Sequence, residues 1–350
     1  MARRQIPVIV LAGFLGSGKT TLLNHLLSTS GGTRIGAVVN DFGSIEIDAM
    51  SVAGQVDSMV SLGNGCLCCA VDSSELDGFL DRLARPAARI DVIVVEASGL
   101  AEPQEIIRMI LASENKNIVY GGLVEVVDAA EFDRTRARHP ELDRHIGIAD
   151  LVVLNKADRV QDAARASLED RLTELAPGTP VVPASYGRVD PELLFDCKPR
   201  EDHVEAIRQL SFEDLCHEED GDGHADHLHA AYQSVEFVSD EPMHPRRLMD
   251  FLDARPAGLY RIKGFVHFGV GGHRDKFSLH AVGDFLRFYR SPWARSEPRA
   301  TQLVMIGNGI DAQALSEGLD ACRWGHLPAE AGEGPQDADS MWGVLRYAQS

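Results

Sequence analysis

Residues 13–20 read Gly13-Phe14-Leu15-Gly16-Ser17-Gly18-Lys19-Thr20, which fits the pattern G-x-x-x-x-G-K-[ST]. An apolar run, residues 6–12, leads into it, and a segment with helical spacing, residues 19–28, leads out. No other feature constrains the fold as strongly. It requires a strand whose C-terminal end opens into a helix N-terminus, which is the unit of a parallel α/β sheet. Glycines at these positions let successive backbone N–H groups turn toward one point, where a helix N-terminus also favours an anion. Lys19 then reaches the β- and γ-phosphates of a nucleotide, and the Thr20 hydroxyl can ligate Mg²⁺. Gly13, Gly16, Ser17, Gly18, Lys19, Thr20 and Thr21 are the candidate nucleotide-binding residues of this stretch. A tight glycine-rich turn with an incidental lysine is the competing reading, and the flanking strand and helix weigh against it.

Further apolar runs at 34–40, 91–96, 118–127, 151–154 and 180–184 alternate with segments of helical spacing at 74–84, 103–112 and 162–175. Strands apolar throughout and joined by helices predict a mostly parallel, doubly wound sheet covered on both faces. Residues 1–200 are therefore expected to form an α/β domain carrying the phosphate loop. Residues 201–231 read as an acidic, histidine-rich linker: no Lys or Arg occurs from Gln209 to Pro245, and residues 211–229 hold seven carboxylates and four histidines. Their self-repulsion predicts a flexible tether. Residues 232–325 contain successive strand-like runs with helices at 245–254 and 312–321, the pattern of a smaller α+β domain. Residues 326–350, acidic and rich in Gly and Ala, are expected to be a flexible tail.

Three more constellations carry chemistry. Asn155-Lys156-Ala157-Asp158 follows the apolar run 151–154. In guanine-specific NTPases an N-K-x-D sequence stands in this place: the aspartate accepts from guanine N1–H and N2–H₂, the lysine stem lies on the base, and the asparagine ties its loop to the phosphate loop. Ala184, within Pro183-Ala184-Ser185, stands where such proteins offer a backbone N–H to guanine O6. Glu96 ends the apolar run 91–96, and a buried acid there is costly unless it is paired or near a cation. That points to Mg²⁺ held through water, with Gly99 able to approach the γ-phosphate. Lys19 and Glu96 are the candidate catalytic residues. Finally, Cys66, Cys68 and Cys69 place three thiols within four residues, a soft ligand set suited to Zn²⁺ or Cu(I). Three ligands leave a coordination position open, which suits transfer better than permanent binding. His217, His224, His227 and His229 are weaker accessory metal candidates; Cys197 and Cys322 are isolated.

Together these motifs resemble the CobW-like family of P-loop GTPases: the loop 13–20, the C-x-C-C motif at 66–69, the E-x-S-G-x-x-x-P stretch from Glu96 to Pro103, and Asn155 to Asp158. The resemblance runs through the linker into residues 258–265 and reaches about Cys322. It implies a metallochaperone that binds GTP and Mg²⁺, holds Zn²⁺ or a similar ion at its cysteines, and hydrolyses GTP slowly while delivering the metal to a client metalloprotein. One departure is Asn40-Asp41-Phe42-Gly43, where the family usually has N-E-F-G; the shorter acid lengthens any contact made there, and Asp48 keeps the downstream carboxylate. No glutamine or arginine stands out as a water activator, in keeping with slow turnover. Alternatives are a passive zinc buffer with vestigial GTPase, a metal-insertion GTPase for a cobalt or iron enzyme, and a redox sensor using Cys68 and Cys69.

Composition excludes other classes. With 34 basic and 53 acidic side chains, the net charge of −19 repels nucleic acid and anionic membranes. No run approaches the ~18 apolar residues of a membrane span. The arginines at 3 and 4 are followed by the glycine-rich loop rather than a cleavage site, and the crowded thiols suit a reducing compartment, so a cytoplasmic location is expected.

Overall fold

A computed structural model describes residues 5–39, 58–61, 73–99, 101–197, 232–294, 297–326 and 341–349. The chain folds into two compact units, one built on Arg3–Ala176 and the other on Tyr232–Ser350.

The N-terminal unit holds seven strands: β1 (Ile6–Ala12), β2 (Ile35–Val39), β3 (Ser58–Ser61), β4 (Val92–Glu96), β5 (Ile118–Asp128), β6 (Leu151–Asn155) and β7 (Val181–Pro183). Their order is β3-β2-β4-β1-β5-β6-β7, and every pairing is parallel. All residues of β2, β4 and β6 are buried, so the sheet needs cover on both faces. That cover comes from crossover helices: α1 (Lys19–Thr29), α2 (Ser73–Leu83), α3 (Pro103–Ala112), the short α4 (Phe132–Arg138) and α5 (Leu142–Gly147), and α6 (Asp162–Leu175). Helix α3 shows the local logic: Pro103 opens it without needing an N–H partner, and Ile106 and Ile110, four apart, are buried.

Strand β1 lies at the centre, between β4 and β5. After it the chain turns to one side, and after β4 it crosses to the other. Ligands of open α/β sheets bind at such a switch point, beyond the carboxyl ends of the strands. The β1–β5 register shifts between Val8 and Ile9, because Val8 faces Tyr120 while Ile9 faces Gly122. Gly121 is the extra residue, and a Cβ there would lie 3.0 Å from the Ile9 side chain. This bulge slides the rest of β5 by one residue, so that Glu125 rather than Val124 pairs with Ala12 at the mouth of the loop.

The C-terminal unit is a six-stranded sheet: β8 (Gln233–Ser239), β9 (Leu259–Val266), β10 (Lys276–Val282), β11 (Phe285–Ser291), β12 (Thr301–Gly307) and β13 (Ala348–Gln349). Its order is β13-β11-β10-β9-β12-β8, antiparallel except for the β11–β13 pair. The short α7 (Pro191–Leu194) lies before it in the chain. Helices α8 (Pro245–Asp253), α9 (Ala312–Asp320) and α10 (Trp342–Arg346) contribute Leu248, Leu252, Leu315, Leu319 and Val344 to its core. Within the span 326–350, expected from composition to be a flexible tail, residues 341–349 instead belong to the fold. Met341 and Val344 are fully buried in the core, and Ala348 pairs with Phe288. Two apolar anchors outweigh the acidic stretch before them. Among the described residues, no helix is long and apolar enough to cross a membrane.

A chain ending at residue 340 therefore exposes the Met341 and Val344 positions of the core and the edge of β11. Each buried side chain of this size is worth about 2 kcal/mol, so the truncated chain should melt at least several degrees lower by calorimetry. An unchanged midpoint would show that this segment does not support the core.

Candidate nucleotide-binding site

The loop between β1 and α1 closes on itself around its glycines. Gly13, Gly16 and Gly18 have φ of 141°, 76° and 104°, a region where a side chain is strained. Two of them also lack space: a Cβ at Gly13 would lie 2.3 Å from the Val126 carbonyl, and one at Gly18 would lie 2.2 Å from Asn155 Nδ2. The Ser17 N–H donates to Phe14 O at 3.1 Å, and Leu22 N–H to Gly18 O at 2.9 Å starts the helix. Lys19 is only 7% exposed. Its ammonium caps the loop from within, donating to the carbonyl oxygens of Gly13 (2.9 Å) and Phe14 (3.3 Å).

Thr20 and Glu96, 76 residues apart, meet: the Thr20 hydroxyl donates to Glu96 Oε1 at 2.6 Å. Glu96 ends β4 opposite Leu11 and is 3% exposed. A hydroxyl and a carboxylate side by side at the phosphate loop are hard oxygen donors, the set Mg²⁺ takes. Gly99 closes the same side, where a Cβ would lie 2.7 Å from the Leu15 nitrogen.

Asn155 ends β6 and is 1% exposed. Its Nδ2 donates to Ser17 O (2.9 Å) and its Oδ1 accepts from the Gly187 N–H (2.9 Å). One buried amide thus joins the phosphate loop to the loop after β7. Lys156 sits in left-handed backbone, φ 58°, and its ammonium binds Gly16 O (2.8 Å) and Asp128 Oδ2 (2.7 Å). Such strain in a non-glycine residue costs on the order of 1–3 kcal/mol, and it concentrates at functional sites. Asp158, in a single turn Ala157–Arg159, is exposed.

These groups line one cavity of about 720 Å³, together with Gly16, Gly18, Thr21 and Gly99. Ala184 does not line it, and its expected part needs correction. Its N–H donates to Leu154 O (2.9 Å) and its carbonyl accepts from Ala157 N–H (3.0 Å), so sheet and turn bonds consume the proposed donor. Ala184 instead anchors the turn that carries Asp158. Sequence reading also missed Tyr186, which is exposed, has φ 55° and lines the cavity beside Arg159. Its signal was its place two residues beyond Ala184.

A second cavity, about 460 Å³, is lined by Phe14, Leu15, Gly16 and Ser17 of the same loop. Glu125 faces it, 1% exposed, and its Oε2 accepts no hydrogen bond from any described residue. Burial raises its pKa to about 8, against the opposing pull of the Lys19 charge.

Cys66, Cys68, Cys69, the segment 40–48 and His217, His224, His227 and His229 lie outside the described residues. Among the described residues, no three His, Cys, Asp or Glu side chains are grouped to hold a metal ion. Cys322 is buried, its thiol pushed up to about 11 by burial, which makes it inert.

Two family models match. Residues 7–183 fit the CobW/HypB/UreG nucleotide-binding domain, and residues 232–323 the cobalamin synthesis protein CobW C-terminal domain. The chain is 28% identical to the zinc chaperone CobW of a Sinorhizobium species, over 91% of this chain and 97% of that one. It is 30% identical to the zinc chaperone CobW of Pseudomonas aeruginosa, over 90% and 91% respectively. The zinc chaperone YjiA of Escherichia coli is 32% identical over 55% of this chain and 61% of its own length.

The raised Glu125 pKa has a signed consequence. Between 4.5 and about 8 the folded chain holds more proton at this carboxyl than the unfolded chain does, so stability falls as pH rises through that window. Glu125→Gln removes the effect. Its stability gain in urea unfolding should be larger at pH 8 than at pH 5, by on the order of a few kcal/mol. An equal gain at both values would mean that the buried carboxyl ionises like an exposed one.

Proposed function

The chain belongs to the CobW/HypB/UreG family, and on that footing we propose that it is a GTP-hydrolysing metallochaperone acting in the cytoplasm. Its cargo is Zn²⁺ or a similar transition metal, taken up by Cys66, Cys68 and Cys69 and passed to a client metalloprotein. The observation that carries the nucleotide half is the Asn155 bridge. Both ends of its amide are used to hold the phosphate loop at Ser17 and the base-side loop at Gly187. Asp158 follows within the same turn, where an acceptor selects guanine over adenine. The cargo half rests on the clustered thiols and on relatives described as zinc chaperones.

In this reading the loop amides and Lys19 bind the β- and γ-phosphates. Lys19 must first exchange its bonds to Gly13 O and Phe14 O for phosphate oxygens, so the free loop is held shut by the group that later binds substrate. Thr20 and Glu96 would hold Mg²⁺, which supplies charge neutralisation for the transferred phosphoryl group. Lys156 lays its stem along the base, fixed by Asp128 and Gly16. Gly99, packed against Leu15, keeps the β4 loop close to the γ-phosphate position.

The division of labour follows the chain: 1–200 for nucleotide and metal, 201–231 as an acidic tether with accessory histidines, and 232–325 as the family's C-terminal domain. The cysteines lie in sequence between segment 40–48 and β4, both nucleotide-responsive in this account. GTP should therefore order the thiolate site, and by linkage each ligand tightens the other by the same factor.

Zinc affinity, measured against a chromophoric chelator with and without a non-hydrolysable GTP analogue, should differ by about fivefold or more. Changing the three clustered cysteines to serine should abolish the tight site. Equal affinities would leave a passive zinc buffer as the better description.

A further inference from the structure

We propose that Tyr186 is a base-binding residue, whose ring stacks on one face of the guanine while the Lys156 stem covers the other. This deepens the GTP-binding reading above and rests on it.

Tyr186 stands where its residue type is unfavourable. The Arg188 N–H donates to Ser185 O at 3.1 Å and closes a four-residue turn, and both central residues, Tyr186 and Gly187, have positive φ, 55° and 67°. That is the pattern of a type I′ turn, whose central positions suit Asn, Asp and Gly rather than an aromatic residue. Burial does not account for the tyrosine either, because it is 69% exposed. Among the described residues only three non-glycine residues have positive φ: Arg89, Lys156 and Tyr186. Arg89 ends a single turn, its N–H donating to Pro86 O. The other two line the same cavity. Backbone strain of this kind persists where neighbouring contacts hold it, and it clusters at ligand sites.

The neighbouring contacts hold Tyr186 from both sides. The Gly187 N–H donates to Asn155 Oδ1 at 2.9 Å, and a Cβ at Gly187 would lie 2.7 Å from the Leu22 nitrogen, so the turn is seated against α1. Before the turn, Ala184 O accepts from the Ala157 N–H at 3.0 Å. Asp158 and Tyr186 therefore stand on two turns bonded to each other twice, at Ala157–Ala184 and at Asn155–Gly187, and both line the cavity with Lys156. Tyr186 is the one aromatic side chain among the described residues lining it. A base whose edge meets Asp158 has two flat faces to cover. The lysine stem takes one, and the tyrosine ring is the aromatic surface offered to the other. Stacking tolerates any base, so Tyr186 adds affinity while Asp158 chooses guanine.

The test measures two quantities on the full-length chain: affinity for a non-hydrolysable GTP analogue with Mg²⁺, by calorimetry, and the melting temperature without nucleotide. Tyr186→Asn suits the turn and lacks the ring. It should melt a few degrees higher than wild type and bind the analogue about fivefold more weakly or worse. Tyr186→Leu keeps the strained backbone and an apolar side chain without the ring, and should lose the same affinity at an unchanged melting temperature. Tyr186→Phe should match wild type in both. Wild-type affinity in Tyr186→Asn or in Tyr186→Leu would overturn the inference, and so would an equal loss in Tyr186→Phe. A lower melting temperature in Tyr186→Asn would show that the tyrosine serves the fold, and would overturn it too. Failure of wild type to bind the analogue would overturn the functional reading itself, and this inference with it.

Discussion

The site depends on one buried amide. Asn155 reaches it from the end of β6, gives its N–H to Ser17 O and takes the Gly187 N–H on its oxygen. At 1% exposure neither bond competes with water, and leaving either partner unsatisfied costs about 1–3 kcal/mol. The bridge fixes the distance between the loop after β1 and the loop after β7. It also explains why position 18 must be glycine: any side chain would occupy the space of the Asn155 amide. The Lys19 bonds to Gly13 O and Phe14 O and the Lys156 bond to Gly16 O hold the same loop from other directions.

The chain's net charge of −19 makes the local electrostatics more telling. A polyanion is an unpromising host for a triphosphate, yet the nucleotide cavity gathers Lys19, Lys156 and Arg159. The acids that share it stand in particular places: Glu96 against the Thr20 hydroxyl, and Asp158 exposed on its turn. Acid elsewhere on the chain repels polyanions, so the cations gathered at this cavity matter to the proposed phosphate site. Glu125 is the exception, an acid paired with Ala12 whose burial raises its pKa to about 8.

Much of this was legible in the sequence because it is local. Strand β1 and helices α3 and α6 begin and end where periodicity puts them, and the loop and the Asn155 turn announce themselves by composition. What escaped was either short or long-range. Strand β3 has four residues, two of them serine, and helix α4 has three arginines in seven, so neither carries an apolar period. The fold of 341–349 hides behind an acidic stretch. Glu125 looked like one polar interruption of an apolar run, because nothing in residues 118–127 tells of a lysine 106 positions earlier. Ala184 was misread for a related reason: a motif gives the position of a turn, while the sheet decides which of its N–H groups is already taken.

The most direct measurement is equilibrium binding of GTP and ATP to the purified chain in the presence of Mg²⁺. The account predicts that GTP binds and that ATP binds at least a hundredfold more weakly, about 3 kcal/mol, because adenine leaves the Asp158 carboxylate without donors. Equal affinities for the two nucleotides, or no binding of either, would contradict it.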